Sequence, residues 1–340
     1  MTPSLCDLPK VFMENLMKKL DFKDVLTLRH VSRDLYNFID DKANSSILPE
    51  IYMETLGISI KENCVTLVFE SPEDDNILEY KLQEDGKCKK YNNGKNEILE
   101  NVNVMDVAMR DLELVLKFQR AEMTKISFKA DFDSSTESQS TLDKLKKVLE
   151  SKTIPLKLWI INLSVAKQSE VMAVLPYLDS GVLRSIRIEC ERRTENLKMN
   201  EISETEQWKC AESLIMNHHR FSDSLKHLSH FTNVTIRVPT VSVEELQNLK
   251  EIFAASEKFF SFKAEYDHFE KDQKFTELWG TPYVEEPLAI NSWYFPASNS
   301  KFVLKFQHAP LFQTVQFRSK KIEELPHGFA LRDGKYVLEP

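Results

Sequence analysis

Four histidines, His218, His219, His227 and His230, form the one group in this 340-residue sequence that tempts a metal reading. Zinc sites pair their ligands at short fixed spacings, yet no cysteine pair precedes these histidines at ligand distance and no HExxH is present. The five cysteines, Cys6, Cys64, Cys88, Cys190 and Cys210, are scattered without a CxxC. That pattern predicts reduced thiols and no disulfide. A cysteine nucleophile needs a base brought close by the fold, and no local signature around Cys64, Cys190 or Cys210 announces one. The acidic stretch Ser71–Asn76 has a spacing that suits no calcium loop, so it is expected to be a solvated hairpin tip. Only 7 glycines occur, too few and too dispersed to write a dinucleotide fingerprint or a phosphate loop. No catalytic residue, metal ligand or cofactor site is therefore nominated, and the chain is not expected to be an enzyme.

Composition narrows the classes further. A formal net charge of −8 and a pI near 5.6 argue against a nucleic-acid groove or an anionic membrane surface, both of which require a basic face. No apolar run approaches a membrane span. Met1–Leu8 includes Asp7 and lacks the apolar core of a secretion signal, so a cytoplasmic or nuclear protein is expected. With 42% hydrophobic residues, the length suits a small N-terminal module followed by a larger body. The mixed-sign run Glu189–Arg193 with Glu195, and the lysines Lys18-Lys19, Lys144 and Lys146-Lys147, read as solvated surface.

Within the body, Ile47–Leu56 reads as a short helix. Val65–Phe69, Ile77–Leu82 and Lys87–Tyr91 alternate apolar and polar residues, with a turn at Glu84-Asp85-Gly86, and predict a small antiparallel sheet. From Val104 onward helical and strand-like segments alternate. Helical pattern covers 104–118, 141–151, 169–177, 205–211, 223–230 and 243–256; strand pattern covers 124–129, 155–163, 182–189, 214–216, 234–238 and 259–266. Strand centres at Ile126, Leu158, Ile186, Ile215, Ile236 and Phe262 recur at a rough period in the twenties and low thirties. The expected fold class is α+β to α/β: strand–helix units like an irregular leucine-rich-repeat arc, flanked by small antiparallel sheets. A closed sheet-and-helix domain is the alternative topology, with right-handed crossovers in either case. Trp293–Phe295, Phe302–Phe306 and Val315–Arg318 predict a closing antiparallel meander.

The first forty residues have a different logic. Pro9 can open a helix whose apolar stripe holds Phe12, Met13, Leu16, Met17 and Leu20. Asp21 is a candidate cap for a second short helix with Val25, Leu26 and Leu28 on its apolar side. Ser32 can cap a third, carrying Leu35, Tyr36, Phe38 and Ile39, before a polar linker at 40–46. A module this short cannot enclose a core of its own. Either the rest of the chain or a partner protein must cover its apolar positions.

The spacing Leu8-Pro9, Phe12-Met13, Leu16-Met17, Leu20, Val25-Leu26, Leu28, Val31-Ser32-Arg33, Ile39-Asp40 resembles the F-box. The third-helix tryptophan of many F-boxes is absent, with Leu35 and Tyr36 in its neighbourhood. The resemblance implies docking on the adaptor protein that links F-box proteins to a cullin-based ubiquitin ligase. It places that contact on Leu8, Pro9, Phe12, Met13, Leu16, Leu20, Leu28, Val31 and Ser32. Further strings resemble the FTH domain found beside F-boxes in a nematode family: Val174-Leu175-Pro176-Tyr177-Leu178, Gly181-Val182-Leu183, Ile186-Arg187-Ile188, Glu206-Gln207-Trp208-Lys209, Leu228-Ser229-His230-Phe231 and Val241-Ser242-Val243-Glu244-Glu245-Leu246. In that stretch Trp208 reads as a buried anchor between repeats and His230 as a helix cap.

The expected domains are an F-box at 1–45, a linker helix, small sheet and first strand–helix unit at 46–134, an FTH domain at 135–270, and a C-terminal meander at 271–340. The resemblance implies a substrate-recognition adaptor of an SCF-type ligase, with the F-box on the ligase adaptor and the body on an unknown target protein. Neither nucleic acid nor membrane is an expected partner. The alternative is a scaffold or decoy that carries an F-box without joining a ligase.

Overall fold

The computed structural model describes residues 8–20, 22–42, 52–72, 75–92, 95–131, 136–190, 196–270 and 273–338. Cys6, Asp21, the stretch 43–51, the acidic tip at 73–74 and the charged run at 191–195 lie outside them. Expectations for a cap, a linker and its following helix, a hairpin tip and a solvated loop fall wholly or partly on those positions. The fold is mixed α/β and dominated by sheet. It divides into two compact units: one holds the residues up to Trp159 with Ala173–Val182, the other Ile160–Met172 with the residues from Leu183 on.

The first unit opens with α1 (Lys10–Met17), α2 (Phe22–Val31) and α3 (Arg33–Lys42). Pro9 stands just outside α1, where its carbonyl accepts the N–H groups of Phe12 at 2.8 Å and Met13 at 3.2 Å. Strands β1 (Thr55–Lys61), β2 (Cys64–Glu70), β3 (Asp75–Leu82), β4 (Cys88–Asn92) and β5 (Lys95–Leu99) follow, then α4 (Val104–Phe118), β6 (Met123–Asp131) and α5 (Thr136–Glu150). β2–β5 form an antiparallel meander, and β1 lies between β2, antiparallel, and β6, parallel. Gly86, at φ 78°, supplies the left-handed residue of the expected turn.

The helix expected at 47–56 is corrected here, because Tyr52–Glu54 is not helical and Thr55 begins β1. The physical reason is period two: Leu56, Ile58 and Ile60 are buried while Thr55, Gly57 and Ser59 alternate with them. Gly57 faces Val68 so closely that a Cβ would sit 3.1 Å from the valine Cβ. α4 matches its expected span. Asn103 caps it, its Oδ1 accepting from the N–H groups of Met105 at 2.9 Å and Asp106 at 3.2 Å.

The second unit is built on β7 (Leu158–Ser164) from its Ile160 onward, β8 (Ser185–Glu189), β9 (Ser213–Arg220), β10 (Asn233–Ser242) and β11 (Ser261–Glu270), paired in parallel in chain order. Between them run α6 (Gln168–Val171), α7 (Glu206–Cys210) and α8 (Val243–Ala255). The same backbone device recurs at three strand starts: the carbonyl of Arg184 takes the N–H groups of Glu212 and Ser213, that of Glu212 those of Thr232 and Asn233, and that of Thr232 those of Phe260 and Ser261.

Two expected helices are much shorter than read. The stretch 169–177 holds α6 and a separate 3-10 turn at Leu175–Tyr177, and 223–230 holds only a 3-10 turn at Leu225–Leu228. Pro176 lies in the first turn at Leu175–Tyr177, where its ring suits a helix start but not a continuing α-helix. Beyond β11 lie α9 (Gln273–Trp279), which sequence periodicity does not predict, β12 (Tyr283–Glu285), β13 (Ile290–Pro296), β14 (Phe302–Ala309), β15 (Thr314–Lys321), β16 (Phe329–Arg332) and β17 (Lys335–Leu338). β13, β14 and β15 form the expected antiparallel meander, joined to the parallel ladder through β11 and β15.

Candidate partner-binding surface

The apolar stripe of α1 divides into two ridges. Met13 and Met17, four residues apart, turn inward and meet Val25, Leu35, Ile39 and Phe118 in one buried cluster. Phe118 and Leu114 belong to the last turns of α4, so the body supplies the missing half of a core that the three helices cannot close alone. Lys152 braces this end of α4, its Nζ donating to the carbonyls of Leu116 at 2.6 Å and Gln119 at 2.9 Å. Burial, with Arg120 nearby, lowers the Lys152 pKa to about 8.

The other ridge faces outward. Phe12 and Val31 expose 56% and 66% of their surfaces, and Val11 and Tyr36 are exposed as well. Scattered exposed apolar residues are ordinary; these four all belong to the first three helices. Pro9 and Ser32 are exposed, while Leu8, Leu16, Leu20 and Leu28 are half-buried. Leu8, Leu20 and Leu28 pack on the inner cluster with one side. Met13, at 3% exposure, is inside and supports the helices from within. Ser32 caps α3 as expected, its Oγ accepting the Leu35 N–H at 3.2 Å. Val11 and Tyr36 were not among the expected contacts. The guanidinium of Arg29 lies 4.0 Å from the Tyr36 ring centroid, which gives that exposed ring a defined position.

The candidate chemical groups are dispersed by the fold. His219 is fully buried with its Nε2 2.8 Å from the Val165 carbonyl, and burial lowers its pKa. His218, at φ 68°, sits in the irregular stretch of β9 where register with β10 shifts, and is exposed. His227 pairs with Asp223 at 3.0 Å. His230 meets a carbonyl of the turn before it, that of His227, as expected of a cap, and its Nε2 also bonds the carbonyl of Trp208 at 2.9 Å, while burial holds its pKa down. Among the described residues no group of three or more His, Cys, Asp or Glu side chains is placed to hold a metal ion. Their four cysteines carry free thiols, and no helix among the described residues is long and apolar enough to cross a membrane.

The strings at 206–209, 228–231 and 241–246 occupy structural joints. Trp208 is buried edge-on against Phe231, with ring centroids 5.0 Å apart, as expected of an anchor. Ser242 and Glu245 form a capping box at the start of α8, the Ser242 Oγ accepting the Glu245 N–H at 3.2 Å and Glu245 Oε2 accepting the Ser242 N–H at 3.2 Å.

Comparison with known families bears on both regions. A model of the F-box domain matches residues 5–45, and a model of the FTH domain matches residues 139–277. No curated protein and no solved structure matches the chain. F-box and FTH families are typically adaptor or interaction modules, and the F-box generally binds the adaptor subunit of cullin ligases. The exposed ridge on helices that otherwise bury themselves against α4 belongs to the matched F-box segment, and the chain is an F-box protein that carries an FTH domain.

Proposed function

We propose that this chain is the substrate-recognition adaptor of an SCF-type ubiquitin ligase: its F-box docks on the cullin adaptor protein and its FTH-containing body holds a target protein. The observation that carries this reading is the division of the F-box side chains. The inner set is satisfied by Phe118 and Leu114, whereas Val11, Phe12, Val31 and Tyr36 remain exposed. A partner that laid apolar side chains against them would bury the remainder. Leu8, Pro9, Leu16, Leu20, Leu28 and Ser32 would border that contact, with Met13 holding the helices from behind.

The mechanism is proximity. Holding a target lysine near a charged ubiquitin-conjugating enzyme raises its effective concentration, and the bond-making steps take place on other subunits. The body suits the second role as a ladder of parallel strands in irregular repeats, presenting an outward strand face on a rigid scaffold. The chain itself is proposed to be non-catalytic and to work in cytoplasm or nucleus. Titration of the purified chain with the purified cullin adaptor tests the ligase half: saturable binding lost on truncating Phe12 and Val31 supports it. A folded chain that fails to bind would point to a scaffold or decoy instead.

A further inference from the structure

The second unit has an outward face that its interior does not use. Along β8, β9, β10 and β11 every second side chain is buried, as with Ile186, Leu214, Ile236 and Ala264. The alternate positions must therefore point away from that core. Strand register joins them into a continuous row, in which Arg187 lies beside Ile215, Ile215 beside Thr235, Thr235 beside Lys263, and Lys263 beside Gln316 of β15. In the adjoining row Arg318 of β15 stands opposite Ser261.

Charge on this face is unbalanced. Asp267 is held by two arginines, Arg220 and Arg237, each at 2.8 Å. Glu265 is met by Lys263 at 3.4 Å, and Glu189 accepts from the Asn217 amide at 3.2 Å. Arg187 and Arg318 are exposed and have no acidic partner among the described residues. An excess of positive charge thus lies on one sheet face of a protein whose formal net charge is −8.

Spacing indicates the kind of ligand. From β8 to β15 there are four strand steps, and at ~4.8 Å each Arg187 and Arg318 stand ~19 Å apart across the sheet. An extended chain advances ~3.3 Å per residue, so that span is about six residues, an even number that leaves both ends on the same side of the chain. Between the arginines the row offers half-buried Ile215 and Thr235. We propose that this face binds an extended acidic segment of the target protein, with carboxylates about six residues apart on Arg187 and Arg318 and an apolar residue between them over Ile215. The proposal rests on the reading of the body as the target-binding part.

The test uses the full chain and a fluorescein-labelled peptide, Ser-Glu-Ala-Ile-Ser-Ser-Ala-Glu-Ser, in which Ile follows the first Glu by two residues and so shares its side, with one counterpart carrying Gln in place of both Glu and another carrying Lys. Fluorescence anisotropy at low salt is expected to show the Glu peptide bound at least tenfold more tightly than the Gln peptide, with the preference shrinking as salt is added. The pair Arg187→Glu and Arg318→Glu should remove that preference, while thermal melting confirms that the variant is folded. Equal binding of the Glu and Gln peptides, preference for the Lys peptide, undiminished binding by the reversed variant, or no peptide binding would each overturn the inference. Titrating the same preparation with the cullin adaptor reads the ligase half separately, so failure here is distinguishable from failure of the adaptor role.

Discussion

Truncating Phe12 and Val31 together is the perturbation that most directly tests the F-box surface. Their exposed fractions, 56% and 66%, are what a partner has left to bury. Full burial of such side chains is worth about 1.5 kcal/mol for the smaller and about 3 kcal/mol for the larger. Scaling by exposure leaves about 1.7 kcal/mol for Phe12 and about 1 kcal/mol for Val31, together a loss of ~100-fold in affinity. Neither side chain belongs to the inner cluster, so melting of the Phe12→Ala, Val31→Ala chain should match that of the parent. Calorimetric titration against the purified cullin adaptor measures the affinity. Met13→Ala is the contrasting control: at 3% exposure it should destabilise the fold by about 2–5 kcal/mol, whatever it does to binding. A double variant that melts normally and binds within twofold of the parent would refute the assignment of this ridge as the contact.

Phe118→Ala should uncouple the F-box helices from α4 and cost about 3–5 kcal/mol, read as a lower urea midpoint; an unchanged midpoint would mean that α4 does not complete that core. Burial lowers the His219 pKa, and its neighbour His218 adds to the shift once charged, so the unfolded chain binds the proton more readily. Stability from this site should be complete above the ordinary histidine pKa of about 6.5 and fall as pH drops below it. Comparing the acid limb of the parent with that of His219→Phe tests this, and identical limbs would count against it. Lys152, with its pKa lowered to about 8, should act at the other end of the scale. Between about pH 8 and 10.5 the unfolded chain holds the proton that the folded chain has released, so stability should rise with pH in the parent and stay flatter in Lys152→Met. Equal slopes in the two proteins would contradict the buried charge.

Much of the architecture was legible as period. α4 was readable end to end as a long helical pattern, to which the structure adds the Asn103 cap. The six expected strand centres, from Ile126 to Phe262, all lie in strands. What failed did so for local reasons. β1 was hidden because Gly57 and Ser59 weaken a strand signal that only its place between β2 and β6 rescues. At 169–177 and 223–230 a helical count of apolar residues was real, but short 3-10 turns suffice to return the chain between parallel strands. His219 drew attention as a candidate ligand, and its position in β9 makes it a core residue.

Residue types and spacing were enough to specify the F-box segment, the alternation of strands and helices, and the lack of any recognisable catalytic motif, because these depend on near-neighbour pattern. They also required that something cover the apolar side of the first three helices. Only packing decided what covers it. Met13 and Phe12 are adjacent and both apolar, yet one is enclosed against Phe118 and the other left to solvent, since a helix turns each successive residue by about a quarter of a circle. The row from Arg187 to Gln316 likewise exists only through strand register, which brings together residues that the chain itself keeps far apart.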